Sequence, residues 1–75
     1  MNKNAIKPLD TSLQKIPAKR MSPWQNGDSK PTEEGPYLRE FDEGEAVSWF
    51  KDGEWTRDGF FASDIQNARW RGMRA

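Results

Sequence analysis

The sequence of 75 residues contains no cysteine and no histidine. These absences exclude a disulfide scaffold, a zinc site built from cysteine or histidine, a thiol nucleophile and imidazole as a catalytic base. No apolar run approaches the ~20 residues of a membrane span, and no apolar signal segment follows Met1. We therefore expect a protein that is not exported and has no contact with a membrane.

The chain also lacks net charge, because its 12 basic and 12 acidic residues cancel. The cancellation hides three regions: residues 1–30 carry a net charge of +4, residues 31–64 of −7 and residues 65–75 of +3. Without net charge there is no overall field that attracts nucleic acid or an anionic membrane. The acidic middle region instead suits contact with a basic protein surface.

Hydrophobic residues make up only 33% of the chain, but four Trp, four Phe and one Tyr are among them. Each aromatic side chain can bury roughly 150–250 Å², so the aromatics must supply most of the core. Residues 1–21 have scattered apolar side chains, and we interpret them as a basic N-terminal arm, either flexible or docked. Residues 22–75 are predicted to form one small domain.

Short runs rich in aromatic and β-branched residues, separated by glycine-containing turns, predict β-strands in this domain. The predicted strands are residues 36–41, 45–51, 54–57, 60–62 and 68–73. The pair Asp52-Gly53 predicts a two-residue type I′ hairpin. The earlier turn is predicted as a three-residue loop at 42–44 with Gly44 in a bulge, whereas a two-residue turn at 43–44 would shift the register by one residue.

These strands predict a mainly β protein, a small antiparallel meander of three or four strands that forms an SH3-like sheet, with the arm beside it. The second hairpin places Phe50 opposite Trp55 on one face of the sheet. The register preferred for the first hairpin places Tyr37 opposite Trp49. We expect Trp49 and Trp70 to lie in the core.

Several short motifs resemble those of a family of small phage- and prophage-encoded proteins to which no activity is assigned. The motifs are Ser22-Pro23-Trp24-Gln25-Asn26-Gly27, Lys30-Pro31, Gly35-Pro36-Tyr37-Leu38-Arg39, Ser48-Trp49-Phe50, Gly53-Glu54-Trp55 and Arg69-Trp70-Arg71-Gly72. They cover roughly residues 22–73. The resemblance implies a small β domain made in an infected or lysogenic bacterium, and it implies no catalytic residue.

Neither catalysis nor a cofactor is predicted. Carboxylates are the only plausible acid–base groups, and a sheet of this size has little room for a cleft that holds two of them about 5–9.5 Å apart. Carboxylates at turns are common for local hydrogen-bonding reasons. The acidic turn at residues 42–45 lacks the alternating ligands of a calcium loop, so no metal site is expected.

The sequence favours a non-enzymatic protein-interaction module of phage or prophage origin in the cytoplasm of a bacterial host cell. Its partner would be a host or phage protein, for example a host defence or nucleic-acid-handling factor. The candidate partner-binding residues are acidic, aromatic and basic side chains of the predicted sheet: Tyr37, Glu40, Glu43, Glu45, Trp55, Arg69 and Arg71.

A second hypothesis is a small β domain that binds single-stranded nucleic acid. Tryptophan rings would stack on the bases and arginines near the end of the chain would contact phosphates. The residues concerned are Trp24, Trp49, Trp55, Trp70, Arg69, Arg71 and Arg74. The acidic middle region opposes this hypothesis, because it repels a phosphate backbone.

Overall fold

A computed structural model describes residues 6–13 and 15–74, whose regular structure is almost entirely β-strand. The strands are β1 (Ile6–Lys7), β2 (Gly35–Phe41), β3 (Gly44–Lys51), β4 (Glu54–Thr56), β5 (Trp70–Arg71) and β6 (Met73–Arg74). A short 3-10 helix at Ala18–Arg20 lies between β1 and β2. The predicted mainly β fold with antiparallel pairing is confirmed.

The main sheet has four strands in the order β4-β3-β2-β5, and β1 pairs with β6 in a second sheet. Only Gly72 separates β5 from β6, so the end of the chain links the two sheets. A Cβ atom at Gly72 would lie 2.3 Å from the carbonyl oxygen of Lys7. Glycine at this position therefore allows β1 to pass close to the last strands.

The described part of the predicted arm, residues 6–13 and 15–21, is docked on the sheets. The N–H of Leu9 donates a hydrogen bond of 2.7 Å to the carbonyl oxygen of Pro36 in β2. A buried cluster joins side chains from the arm and the rest of the chain: Leu9, Met21 and Met73, with Ile16 and Leu38 packed against them. Residues 1–5 and 14 lie outside the described residues, and the division of the chain at 21/22 stays a prediction.

The second hairpin forms as its local sequence predicts. Asp52 and Gly53 have φ angles of 54° and 82°, the positive values that a type I′ turn requires. Phe50 lies opposite Trp55, and Lys51 is the last residue of β3 before the turn. This register was accessible from the sequence because the Asp-Gly pair restricts the backbone by itself.

The first hairpin has a different register from the predicted one. Phe41 pairs with Gly44 across a turn of only two residues, 42–43. The shift of one residue places Tyr37 and Trp49 on opposite faces of the sheet, since side chains alternate along a strand. The predicted core position of Trp49 is therefore wrong, and its side chain is 38% exposed.

The main core lies on one face of the four-stranded sheet, which we call the inner face. Its buried side chains are Tyr37, Phe50, Trp55 and Trp70. The ring of Tyr37 meets those of Trp55 and Trp70 edge to face, with centroids 5.8 and 5.3 Å apart. This geometry is favoured by the ring quadrupoles. The two-residue turn is consistent with this core, because it puts Tyr37 on the same face as Phe50.

Arg39 is also buried on the inner face. Its guanidinium carbon lies 4.9 Å from the ring centroid of Phe41 and 4.6 Å from that of Trp55. Nη2 donates a hydrogen bond of 2.7 Å to the carbonyl oxygen of Ile65. Burial lowers the pKa of Arg39 to about 10. The side chain thereby ties the loop that contains Ile65 to the aromatic core.

Candidate interaction surface

The opposite face of the main sheet, which we call the outer face, has an apolar groove of about 450 Å³ between the sheet and the arm. Its apolar lining includes Leu9, Leu13, Ile16, Met21, Leu38 and Val47. Glu45 and Arg71 add charged groups to the lining. Because Leu13 and Val47 are exposed, the groove is open to solvent at these two side chains.

Four of the predicted site residues lie near one another on the outer face. Glu40 of β2 pairs with Glu45 of β3, and Nε of Arg69 lies 3.3 Å from Oε1 of Glu40. Arg71 lies opposite Leu38 of β2. The alternation of side chains in the strands thus brings two carboxylates and two guanidinium groups to the same surface.

The Trp24 ring contacts both Arg69 and Arg71. The guanidinium carbons of Arg69 and Arg71 lie 5.1 and 4.7 Å from the Trp24 ring centroid, within the range of cation–π contacts. Trp55 and Trp70 are buried in the core. Two of the three arginines and two of the four tryptophans that the nucleic-acid hypothesis requires therefore already have partners within the protein.

Tyr37 and Trp55 are not on the surface, which corrects their assignment as partner-binding residues. Both side chains are 0% exposed, because a chain with so few aliphatic residues needs them in its core. The Tyr37 hydroxyl donates a hydrogen bond of 2.8 Å to the carbonyl oxygen of Glu33. Burial, with a smaller contribution from the charge of Glu33, raises the pKa of Tyr37 to about 12. Glu43 is exposed in the turn between β2 and β3.

Two exposed aromatic residues that the sequence reasoning placed in a strand form a second part of the surface. Phe60 is 81% and Phe61 58% exposed, and their rings stack with centroids 5.0 Å apart at 14°. The expected strand at 60–62 is reduced to one bridge between Thr56 and Ala62. Two adjacent phenylalanines are typical of a buried strand. The one signal in the sequence for an exposed turn is the Asp58-Gly59 pair that precedes them.

Backbone N–H groups that donate to short polar side chains fix the turn that contains this pair. Oδ1 of Asp58 accepts from the N–H groups of Phe60 at 2.9 Å and Phe61 at 3.1 Å. These bonds, that of Phe61 first, lower the pKa of Asp58. Oγ1 of Thr56 accepts from the N–H of Gly59 at 2.7 Å. The backbone of the turn is therefore held in one conformation while the rings face solvent.

The described residues contain no group of three acidic side chains that could hold a metal ion. Nor does any helix among residues 6–13 and 15–74 have the length and apolarity needed to cross a membrane. The carboxylates of the two hairpin turns are exposed and lie at opposite ends of β3.

Comparison of the chain with protein-family models, curated proteins and solved structures gave no match. The resemblance to small phage-encoded proteins therefore stays a prediction.

Proposed function

We propose that this chain is a non-enzymatic protein-interaction module of phage or prophage origin, which binds and modulates a host protein in the bacterial cytoplasm. The observation that carries the proposal is the exposed, stacked pair Phe60–Phe61 on a hydrogen-bonded turn. The phage origin and the cytoplasmic location rest on the motif resemblance and on composition.

The exposure of this pair is unusual because the chain is short of apolar side chains. Full burial of a phenylalanine contributes roughly 1.5–3 kcal/mol, and this pair forgoes most of that free energy at Phe60 and about half of it at Phe61. Aromatic side chains are also enriched among the residues that contribute most to protein–protein binding, where they fill apolar pockets of the partner. A turn that is already ordered adds to this, because little conformational entropy is lost when it binds.

The groups around the pair fit a protein surface as partner. The Arg57 guanidinium carbon lies 5.8 Å from the Phe61 ring centroid, and Asp58 is exposed beside it. Apolar rings surrounded by charged groups correspond to the centre and rim of a protein interface. Single-stranded nucleic acid fits this surface less well, because the exposed carboxylate of Asp58 lies in the same turn as the rings and repels phosphates.

The test is comparative capture of proteins from a bacterial lysate at moderate salt. The immobilised wild type is compared with the double variant F60S/F61S and with a matched control, Ile65→Ser, which removes another exposed apolar side chain outside the turn. We expect one protein to be retained by the wild type and the control but not by the double variant. Loss of two such residues would weaken binding by roughly thirtyfold or more.

Circular dichroism spectra should be the same for the three proteins, since none of the substituted side chains belongs to the core. An identical set of retained proteins for all three would contradict the proposed role of the pair. Quenching of tryptophan fluorescence by oligonucleotides at low salt would instead support the nucleic-acid hypothesis.

A further inference from the structure

Strand β3 has an edge that the rest of the described chain leaves unpaired. On one side, β2 pairs with residues 44–50 of β3, but on the other side β4 reaches only residues 49–51. Within residues 6–13 and 15–74, no backbone hydrogen bond or bridge reaches that side of residues 44–48. Gly44, Glu45, Ala46 and Val47 are all exposed.

The backbone groups of Glu45 and Val47 point to this open edge. The N–H of Glu40 donates to the carbonyl oxygen of Arg69 at 3.0 Å, so the even-numbered residues of β2 direct their backbone groups away from β3. The odd-numbered residues of β2 then face β3, where their partners in the register are even-numbered. Glu45 and Val47 consequently present two N–H donors and two carbonyl acceptors to solvent.

The edge of β4 is covered, in contrast to that of β3. The side-chain amide of Gln66 accepts from the N–H of Trp55 at 2.9 Å and donates to the carbonyl oxygen of Trp55 at 2.8 Å. The N–H of Ser63 donates to the same carbonyl oxygen. On this side of the sheet, the protein thus covers the outer edge of β4 and leaves the Gly44–Ser48 segment of β3 as a template on which a further strand can pair.

The charges at the open edge specify the chemistry of that strand. Glu45 lies at the edge itself, and Asp42 and Glu43 lie in the adjacent turn. Among the described residues, the one ion pair at this end of the hairpin joins Glu40 to Arg69. The carboxylates of Asp42, Glu43 and Glu45 are therefore available to a basic partner. A basic side chain beside Glu45 would complement them, and opposite charges on neighbouring strands are favourable.

Val47 favours an apolar side chain at the facing position of the added strand. Its side chain lies on the outer face, two residues from Glu45, and lines the groove. A strand added at the edge would place its own outer-face side chains beside Glu45 and Val47. The complementary pattern is therefore one basic and one apolar residue separated by a single position.

A second copy of this chain is a poor occupant of the edge. In an antiparallel pairing with its two-fold axis at Ala46, position 43 of the second copy would come opposite Trp49, where Thr56 already lies. With the axis at Glu45, the two copies of this carboxylate would lie directly opposite each other, which is destabilising.

We infer that the Gly44–Ser48 edge of β3 is completed by an extended segment of a partner protein, with a basic side chain beside Glu45 and an apolar one beside Val47. This inference rests on the proposed function and names the mode and chemistry of binding. Main-chain hydrogen bonds to the edge would supply affinity, and the two outer-face side chains would supply specificity.

The test uses a defined probe and amide hydrogen exchange measured by NMR. The probe is an acetylated and amidated peptide of sequence Thr-Lys-Thr-Val-Thr-Val-Thr-Lys, and its matched control has glutamate in place of both lysines. We expect the lysine peptide, at about ten times its Kd, to slow exchange of the Glu45 and Val47 amides by roughly tenfold. The amides of Ala46 and Ser48, which already face β2, should exchange slowly both with and without the peptide.

Two variants test the backbone and charge contributions separately. Val47→Pro removes the outward N–H but leaves the pairing with β2, because proline is tolerated where the N–H of an edge strand faces solvent. It should abolish protection of the Glu45 amide by the peptide. Glu45→Lys should reverse the preference, so that the glutamate peptide protects and the lysine peptide does not. If Val47→Pro does not fold, the peptide preferences of the wild type and Glu45→Lys still test the inference.

The inference is overturned if millimolar lysine peptide leaves both amides unprotected, or if both peptides protect them equally. It is also overturned if protection rises with protein concentration alone, which would identify a second copy as the occupant. The proposed function is judged separately. A captured protein that is lost from F60S/F61S but retained by Val47→Pro would preserve that function and reject the edge as its binding mode.

Discussion

The inner and outer faces of the main sheet use tryptophan in opposite ways, although Trp49 and Trp55 belong to the same hairpin. Trp55 is fully buried among three aromatic rings and the Arg39 guanidinium, whereas Trp49 is partly exposed on the outer face. In the register set by Asp52 and Gly53, Trp55 lies opposite Phe50, the neighbour of Trp49 in β3, so the two tryptophans point to opposite faces. The comparison shows that position on the pleat, and not residue type, decides which aromatic stabilises this fold.

The largest expected effect separates these two tryptophans directly. Trp55→Ala should cost about 3–5 kcal/mol, because it leaves a cavity in the aromatic core. That is comparable to the whole stability of a domain of this size, so the variant should be largely unfolded. Trp49→Ala should cost roughly 1 kcal/mol. Urea unfolding followed by circular dichroism measures both, and equal losses would contradict the division into two faces.

A smaller effect concerns the buried hydroxyl of Tyr37. Its pKa of about 12 in the folded protein exceeds the ordinary value of 10, so the folded state retains a proton that the unfolded state loses between pH 10 and 12. Stability should therefore fall as pH rises through this window, by roughly 2–3 kcal/mol from this group. Tyr37→Phe lacks the titrating group and should lose less stability over the same range.

The comparison of wild type and Tyr37→Phe isolates this hydroxyl from other alkaline titrations. Arg39, whose pKa is lowered to about 10, contributes a slope of the opposite sign, but it is present in both proteins. Denaturation curves at pH 9, 10 and 11 give the two slopes. Parallel slopes for the two proteins would mean that the hydroxyl is not protected by the core.

The smallest expected effect lies on the outer face, at the ion pair between Glu40 and Arg69. Both side chains are about half exposed, so solvent screens their attraction. Glu40→Gln should change the free energy of unfolding by less than about 1 kcal/mol, and the difference should shrink further at high salt. A loss of stability as large as that of the Trp55 variant would show that contacts on the outer face also stabilise the fold.

The outcome for the two hairpins shows what local sequence can specify. Asp52 and Gly53 restrict their own φ angles, so the second hairpin was predictable in turn type and register. The residues at 42–44 are compatible with more than one loop length. The observed register puts Tyr37 and Phe50 on one face, and this requirement comes from packing across strands that a turn motif does not contain.

The candidate surface divides in the same way. Glu40, Glu45, Arg69 and Arg71 were each predicted as partner-binding residues, but only the observed register of β2 and β3 places Glu40 and Glu45 on one face. Phe60 and Phe61 were missed as surface residues, since apolar aromatics in a short chain are expected in its core. Hydrogen bonds made by Thr56 and Asp58 divert the chain before it can form a strand.

The sequence by itself determined a mainly β chain with an aromatic core, because alternating aromatic runs and glycine turns restrict the backbone locally. It also determined that the carboxylates of the hairpin turns would be solvated. Only the tertiary structure decided which aromatics are buried, that the described part of the arm docks on the sheets, and that one edge of β3 stays open. Those features depend on contacts between residues far apart in the chain, whose free energies are realised only when the whole fold has formed.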